Sequence, residues 1–81
     1  MPKNVHLEYV AMLKERAGSG TETVQTEART TACLYRELAE RHGWPWPHNA
    51  LRSAVNDRIA PWTHELGDGD RIVFLPPSSG G

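Results

Sequence analysis

Apolar and polar positions change rhythm several times along these 81 residues, and each rhythm predicts an element. Residues 5–9, Val-His-Leu-Glu-Tyr, alternate with period two, the mark of a strand with one buried face. Residues 11–16 are helix formers, and Gly18 follows as a stop, which predicts a short helical turn. After the Gly18-Ser19-Gly20 loop, the Thr- and Val-rich stretch 21–27 predicts a second, largely exposed strand.

The clearest helix covers 31–42. Thr30 can accept a bond from an unpaired N–H of the first turn. Leu34 with Leu38 and Tyr35 with Ala39 stand at i, i+4 and form an apolar stripe, while Glu37 and Arg41 make an exposed pair at the same spacing. Gly43 occupies the position of a left-handed cap, and Pro45 forbids continuation. Trp44-Pro45-Trp46-Pro47 is irregular and is expected to pack across the helix end. Two short strands, 53–55 and 58–60, flank an Asn56-Asp57 turn. Gly67-Asp68-Gly69-Asp70 is a second turn. Arg71 to Leu75, apolar nearly throughout, reads as a central strand buried on both faces. A helix crossing between strands and packing on one sheet face makes an α+β layer. A buried last strand parallel to the first makes that layer a β-grasp fold with a mixed sheet. Residues 1–77 are expected to form this domain and 78–81 a flexible Gly-Gly tail.

Composition narrows the function. A chain of this length holds one domain, with no room for a large cofactor beside a catalytic cleft, and points to a carrier, a binding module or a subunit. Nine basic and ten acidic residues leave a formal charge of −1, and no Lys/Arg stripe suggests nucleic acid. No apolar run suits a membrane span and no signal peptide opens the chain, so a cytoplasmic protein is expected. The single Cys33 rules out an internal disulfide and reads as a packed small hydrophobe. The four histidines lack close ligand spacing, so no metal is expected. Asp68 and Asp70 fit turn chemistry better than a carboxylate pair. Trp46 and Trp62 read as packing residues before partner contacts. No triad, Walker loop or dinucleotide turn is present.

The remaining chemistry lies at the end. Pro76 and Pro77 lack N–H groups and fix φ, so they end the sheet ladder. Ser78, Ser79, Gly80 and Gly81 carry small side chains or none and can extend roughly 13 Å. Two glycines without Cβ atoms can thread a narrow channel and expose a carboxylate to a partner's active site. That carboxylate is ionised at neutral pH and must be activated before it reacts, for instance as an acyl-adenylate.

Three stretches carry a resemblance: Tyr9-Val10-Ala11-Met12-Leu13-Lys14-Glu15-Arg16-Ala17-Gly18, Ala54-Val55-Asn56, and Leu66 through Gly81 with its Asp68-Gly69-Asp70 turn, Pro-Pro break and Gly-Gly end. Together they resemble the MoaD-type small subunits of molybdopterin synthase, within the MoaD/ThiS family of ubiquitin-like sulfur carriers. The resemblance implies a β-grasp fold and a role as the sulfur-donating subunit of a two-subunit enzyme, not an enzyme on its own. It implies that Gly81 is adenylated by a partner similar to ubiquitin-activating enzymes, which uses ATP, and is then converted to a thiocarboxylate. It implies that Gly80, Ser79 and Ser78 enter the active site of the large synthase subunit, where sulfur passes to a pyranopterin precursor. Phe74, Pro76 and Pro77 are expected near the docking surface. No cofactor is expected to be bound permanently. Ser78 departs from the family, which often has an apolar or β-branched residue there. The alternatives are a sulfur carrier for thiamine, cysteine or tRNA thiolation, a ubiquitin-like modifier, or a β-grasp module with an inert tail.

Overall fold

The computed structural model describes residues 2–76. The element order is β1 (Lys3–Glu8), α1 (Ala11–Ala17), β2 (Thr21–Thr26), α2 (Thr31–His42), a 3-10 turn at His48–Ala50, β3 (Arg52–Val55), β4 (Arg58–Ala60) and β5 (Arg71–Leu75). The strands form one mixed sheet in the order β2-β1-β5-β3-β4. Only the β1–β5 pair is parallel, with Leu7 beside Ile72; every other neighbour is antiparallel. This is the β-grasp topology expected from the sequence.

Local chemistry explains each boundary. Gly18 ends α1 at φ 79° and Gly43 ends α2 at φ 71°, both in the left-handed region that costs a glycine little. Thr30 Oγ1 accepts from the Cys33 N–H at 3.2 Å, as the capping pattern predicts. Asn56 and Asp57, both at positive φ (51° and 71°), form the two-residue turn that matches the twist of β3 and β4. Glu37 and Arg41 form the expected pair, at 3.8 Å. Trp44 is buried across the end of α2, and its backbone N–H donates to Ala39 O at 3.0 Å. The 3-10 turn was not foreshadowed by any periodic pattern.

The core lies between α2 and one sheet face. Val5, Leu7, Leu13, Val24, Leu34, Tyr35, Leu38, Ile72 and Phe74 meet there. Ala39, the fourth member of the predicted stripe, is half-buried at its margin. Thr26, predicted in a largely exposed strand, is buried with Val24, because β2 turns alternate side chains under α2.

Two expectations fail for one reason: a single helical layer covers only one side of the sheet. β5 is central, but only Ile72 and Phe74 are buried; Val73 and Leu75 are half-buried on the open face. Likewise Cys33 is exposed, because it stands on the α2 face opposite the Leu34–Leu38 stripe. Trp46 and Trp62 are half-buried against the core margin, in keeping with packing roles.

Candidate functional site

The sequence places its chemistry after β5, so what fixes β5 fixes the root of that chemistry. At its start, the Gly67–Asp70 turn is tied to two other elements. Asp70 Oδ2 accepts from the Gly67 N–H at 2.7 Å, and Oδ1 accepts from Asn56 Nδ2 at 3.0 Å. Asp68 Oδ1 accepts from the Asn4 N–H at 2.7 Å, and Gly69, at φ 86°, donates its own N–H to Asn4 O at 2.7 Å. Asn56 Oδ1 then accepts from the Arg71 N–H at 3.0 Å, and Arg71 O accepts from the Asn56 N–H at 2.8 Å. Both aspartates are therefore turn acceptors. Asn56 locks the β3–β4 turn to the first residue of β5.

Near the other end, Phe74 anchors the strand. It has no exposed surface. It meets Tyr35 edge-on at 5.2 Å and stacks on Trp62 at 5.8 Å, with Trp44 edge-on at 6.4 Å. Such offset and T-shaped contacts suit the ring quadrupoles. The expectation that Phe74 lies at a docking surface is corrected by this geometry: strand alternation turns it into the core. Its neighbours Val73 and Leu75 face outward instead. Pro76 is half-buried just beyond. Pro77, Ser78, Ser79, Gly80 and Gly81 lie outside the described residues.

The register shows what surrounds Val73 and Leu75 on the open face. Ala54 stands beside Val73, Arg52 beside Leu75, and Ile59 beyond Ala54. Ile59 is 60% exposed and is the one exposed large hydrophobic among the described residues. This apolar patch, next to the root of the tail, went unread because Arg58-Ile59-Ala60 is too short to reveal its face; the pairing of β4 with β3 would have located it. Toward the start of β5 the face becomes polar. His6, Glu8, Thr23, Asp57 and Arg71 line a shallow concavity of about 430 Å³, where Arg71 pairs with Asp57 at 2.6 Å and His6 Nδ1 lies 3.1 Å from Thr23 Oγ1.

A second polar group braces the far edge of the sheet. Tyr9, buried, donates its hydroxyl to Glu22 Oε1 at 2.7 Å; His42 Nε2 lies 3.1 Å from the same oxygen and Arg41 3.4 Å from the other. Burial and the Glu22 charge push the Tyr9 hydroxyl far above its ordinary range. Burial pushes the Glu22 carboxyl up, but the hydrogen bonds from Tyr9 and His42, with the His42 and Arg41 charges, outweigh it and hold the group below its usual range. Exposed Cys33 has its thiol lowered, first by the Thr30 side-chain hydrogen bond. Among the described residues, no three His, Cys, Asp or Glu side chains converge as metal ligands, and no helix is long and apolar enough to cross a membrane.

The organisation of a small domain around its final strand has parallels among known proteins. The chain is 29% identical over 76 residues to the molybdopterin synthase sulfur carrier subunit of Escherichia coli, covering 90% of this chain and 94% of the relative. Its fold superimposes on a putative molybdopterin converting factor subunit 1 from Pyrococcus furiosus with a TM-score of 0.77 at 27% identity, covering 94% and 99% of the two chains. A chain from the complex of subunits 1 and 2 of the molybdopterin-converting factor of Helicobacter pylori matches with a TM-score of 0.61 at 28% identity, covering 96% and 99%. The model of the ThiS family matches residues 7–81, from the middle of β1 through the Gly-Gly end. That span takes in nearly the whole sheet, both helices and the C-terminal residues, and the chain therefore belongs to the ThiS family.

Proposed function

We propose that this chain is the sulfur carrier subunit of a molybdopterin synthase and that its reactive group is the Gly81 carboxylate. One observation carries the reading: the family match runs through Gly81, on a fold whose final strand is clamped at its start and anchored by Phe74 just before the prolines. A rigid strand end followed by Pro76 and Pro77 limits the directions a following segment can take. That limits the entropy lost when Ser78 to Gly81 enter a partner's site.

The chemistry is a relay. A carboxylate oxygen of Gly81 attacks the α-phosphorus of ATP on an adenylyltransferase similar to ubiquitin-activating enzymes, and pyrophosphate leaves. Sulfur from a donor attacks the acyl carbon and AMP leaves, forming the thiocarboxylate. In the large synthase subunit that sulfur passes to a pyranopterin precursor, and water restores the carboxylate. The partners supply ATP and the catalytic side chains; the carrier holds no cofactor of its own and catalyses nothing alone. Val73, Leu75, Ile59 and Pro76 supply the apolar surface against which a partner can dock beside the tail. Our reading puts the cycle in the cytoplasm, a reducing compartment that suits a chain with a single exposed cysteine.

Intact-mass measurement tests the reading. After incubation with ATP, a sulfur donor and the adenylyltransferase, the chain should gain the mass difference between sulfur and oxygen. A variant lacking Gly81 should not. An unchanged mass, with the adenylyltransferase active on another carrier, would overturn the proposal.

A further inference from the structure

The sheet order β2-β1-β5-β3-β4 leaves two edges, and they are not alike. β4 is three residues long, too short to template a partner strand. β2 is six residues long, Thr-Glu-Thr-Val-Gln-Thr, with a β-branched side chain at every position but Glu22 and Gln25. It has no proline, lysine or bulge to blunt it.

Pairing with β1 fixes which backbone groups of β2 face out. The Tyr9 N–H donates to Gly20 O at 2.8 Å, so Gly20 faces β1, and by alternation so do Glu22, Val24 and Thr26. From the other side, the His6 N–H donates to Asp70 O at 2.9 Å and Asn4 O accepts from the Gly69 N–H at 2.7 Å. Both residues are thereby turned toward β5, away from the Thr23 and Gln25 opposite them. The N–H and C=O groups of Thr21, Thr23 and Gln25 therefore point out of the edge. Ser19 takes up the first set: its Oγ accepts from the Thr21 N–H at 3.3 Å and donates to Thr21 O at 2.8 Å. Those of Thr23 and Gln25 have no partner among the described residues.

This spacing is complementary to itself. With a second β2 antiparallel about a two-fold axis at Val24, Thr23 of each copy faces the second copy's Gln25, and the two exchange both their N–H and C=O bonds. A two-fold at Thr23 would set Gln25 against Thr21, whose groups Ser19 holds, and one at Gln25 would set Thr23 against Glu27, beyond the strand. A slip by one residue would put outward groups against inward ones. In the Val24 register no like charges meet. Glu22, the only charged residue of β2, faces the second copy's Thr26 and is already held by Tyr9, His42 and Arg41. On the flank of α2 next to this edge, Thr26 donates to Glu37 at 2.8 Å and Glu37 pairs with Arg41, so neither sign repels a copy carrying the same flank.

We propose that the chain forms a two-fold dimer by antiparallel pairing of β2 with β2 of a second copy, which joins the two sheets into one. The seam is separated from β5 by β1, so Val73, Leu75 and Ile59 stay open in each copy, and the dimer does not depend on the carrier reading. An edge seam is small beside a standard interface of about 1,600 Å², so the pairing is weak, populated at hundreds of micromolar and lost on dilution.

Analytical ultracentrifugation of the full chain from about 10 µM to about 1 mM tests the proposal, and the mass should climb from one chain toward two. Amide exchange followed by NMR should show the Thr23 and Gln25 N–H groups gaining protection as concentration rises. Gln25→Pro removes an N–H that the monomer does not use, and Gln25→Lys sets a charge on the edge; each should weaken self-association at least about tenfold. Circular dichroism checks that the variants fold, and where Gln25→Pro does not, Gln25→Lys decides. Ile59→Glu, on the open face, should leave self-association unchanged. A single-chain mass throughout, a dimer insensitive to the Gln25 variants, or protection gained only at other residues overturns the proposal. So does a monomer whose complex with the large synthase subunit is weakened by Gln25→Lys, which would assign this edge to that partner.

Discussion

Replacing Glu22 tests whether the polar brace between β2 and the end of α2 stabilises the domain. The carboxylate accepts from the buried Tyr9 hydroxyl at 2.7 Å and lies 3.1 Å from His42 Nε2. Arg41 adds a 3.4 Å contact, but with 47% of its side chain exposed that pair contributes less than about 1 kcal/mol. Glu22→Ala leaves the Tyr9 hydroxyl, in a residue 2% exposed, without this acceptor, at a cost of about 1–3 kcal/mol. Glu22→Gln keeps an acceptor and loses only charge assistance, about 1 kcal/mol. For a domain of this size each kcal/mol moves the melting temperature by about 4–8 °C, so the two variants should melt in the order wild type, Gln, Ala. The pH dependence has a definite sign. The carboxyl is held below its unfolded value of 4.5, so its stabilisation is complete above that value and is lost as pH falls through the folded one. Thermal unfolding followed by circular dichroism at neutral pH and in acid should show the gap between wild type and Glu22→Gln shrinking on acidification. Equal melting temperatures at neutral pH, or a gap that survives in acid, would refute the reasoning.

Three further outcomes follow from the same geometry. Phe74→Ala removes the ring among Tyr35, Trp44 and Trp62 and should cost about 3–5 kcal/mol in urea unfolding, while Phe74→Leu costs clearly less. Asp70→Ala leaves the Gly67 N–H and Asn56 Nδ2 without their acceptor; being partly exposed, the site should lose about 1–2 kcal/mol by the same assay. Ile59→Glu, at a position 60% exposed, should change stability by less than about 0.5 kcal/mol yet weaken the complex with the large synthase subunit in calorimetric titration. Unchanged affinity would remove β4 from the docking surface.

Much of this protein is legible in its residues because the signals are local. Thr30 and Gly43 bracket α2 by capping chemistry, Asn56-Asp57 makes a turn for any chain that must reverse there, and Asp68 and Asp70 accept from backbone N–H groups close by. The parallel pairing of β5 with β1 also followed, since two apolar strands separated by a helix satisfy each other only side by side in one sheet. The chemistry proposed for Gly81 rests likewise on residue type and on the family match, and calls for no pocket of the chain's own.

Only the tertiary structure decided which side of each element is covered. An unbroken run such as Ile72-Val73-Phe74-Leu75 reads as apolar on both faces, yet just one helical layer exists to cover the sheet, so Phe74 goes inward and Val73 and Leu75 outward. Cys33 is small and apolar enough for a core, but the 3.6-residue turn puts it opposite the stripe of Leu34 and Leu38. The Tyr9–Glu22–His42 brace joins residues up to 33 positions apart and has no sequence signature, because nothing local sets which strand edge meets the end of α2. Burial on a one-sided sheet is a property of what packs against it, and that partner is chosen by the whole chain at once.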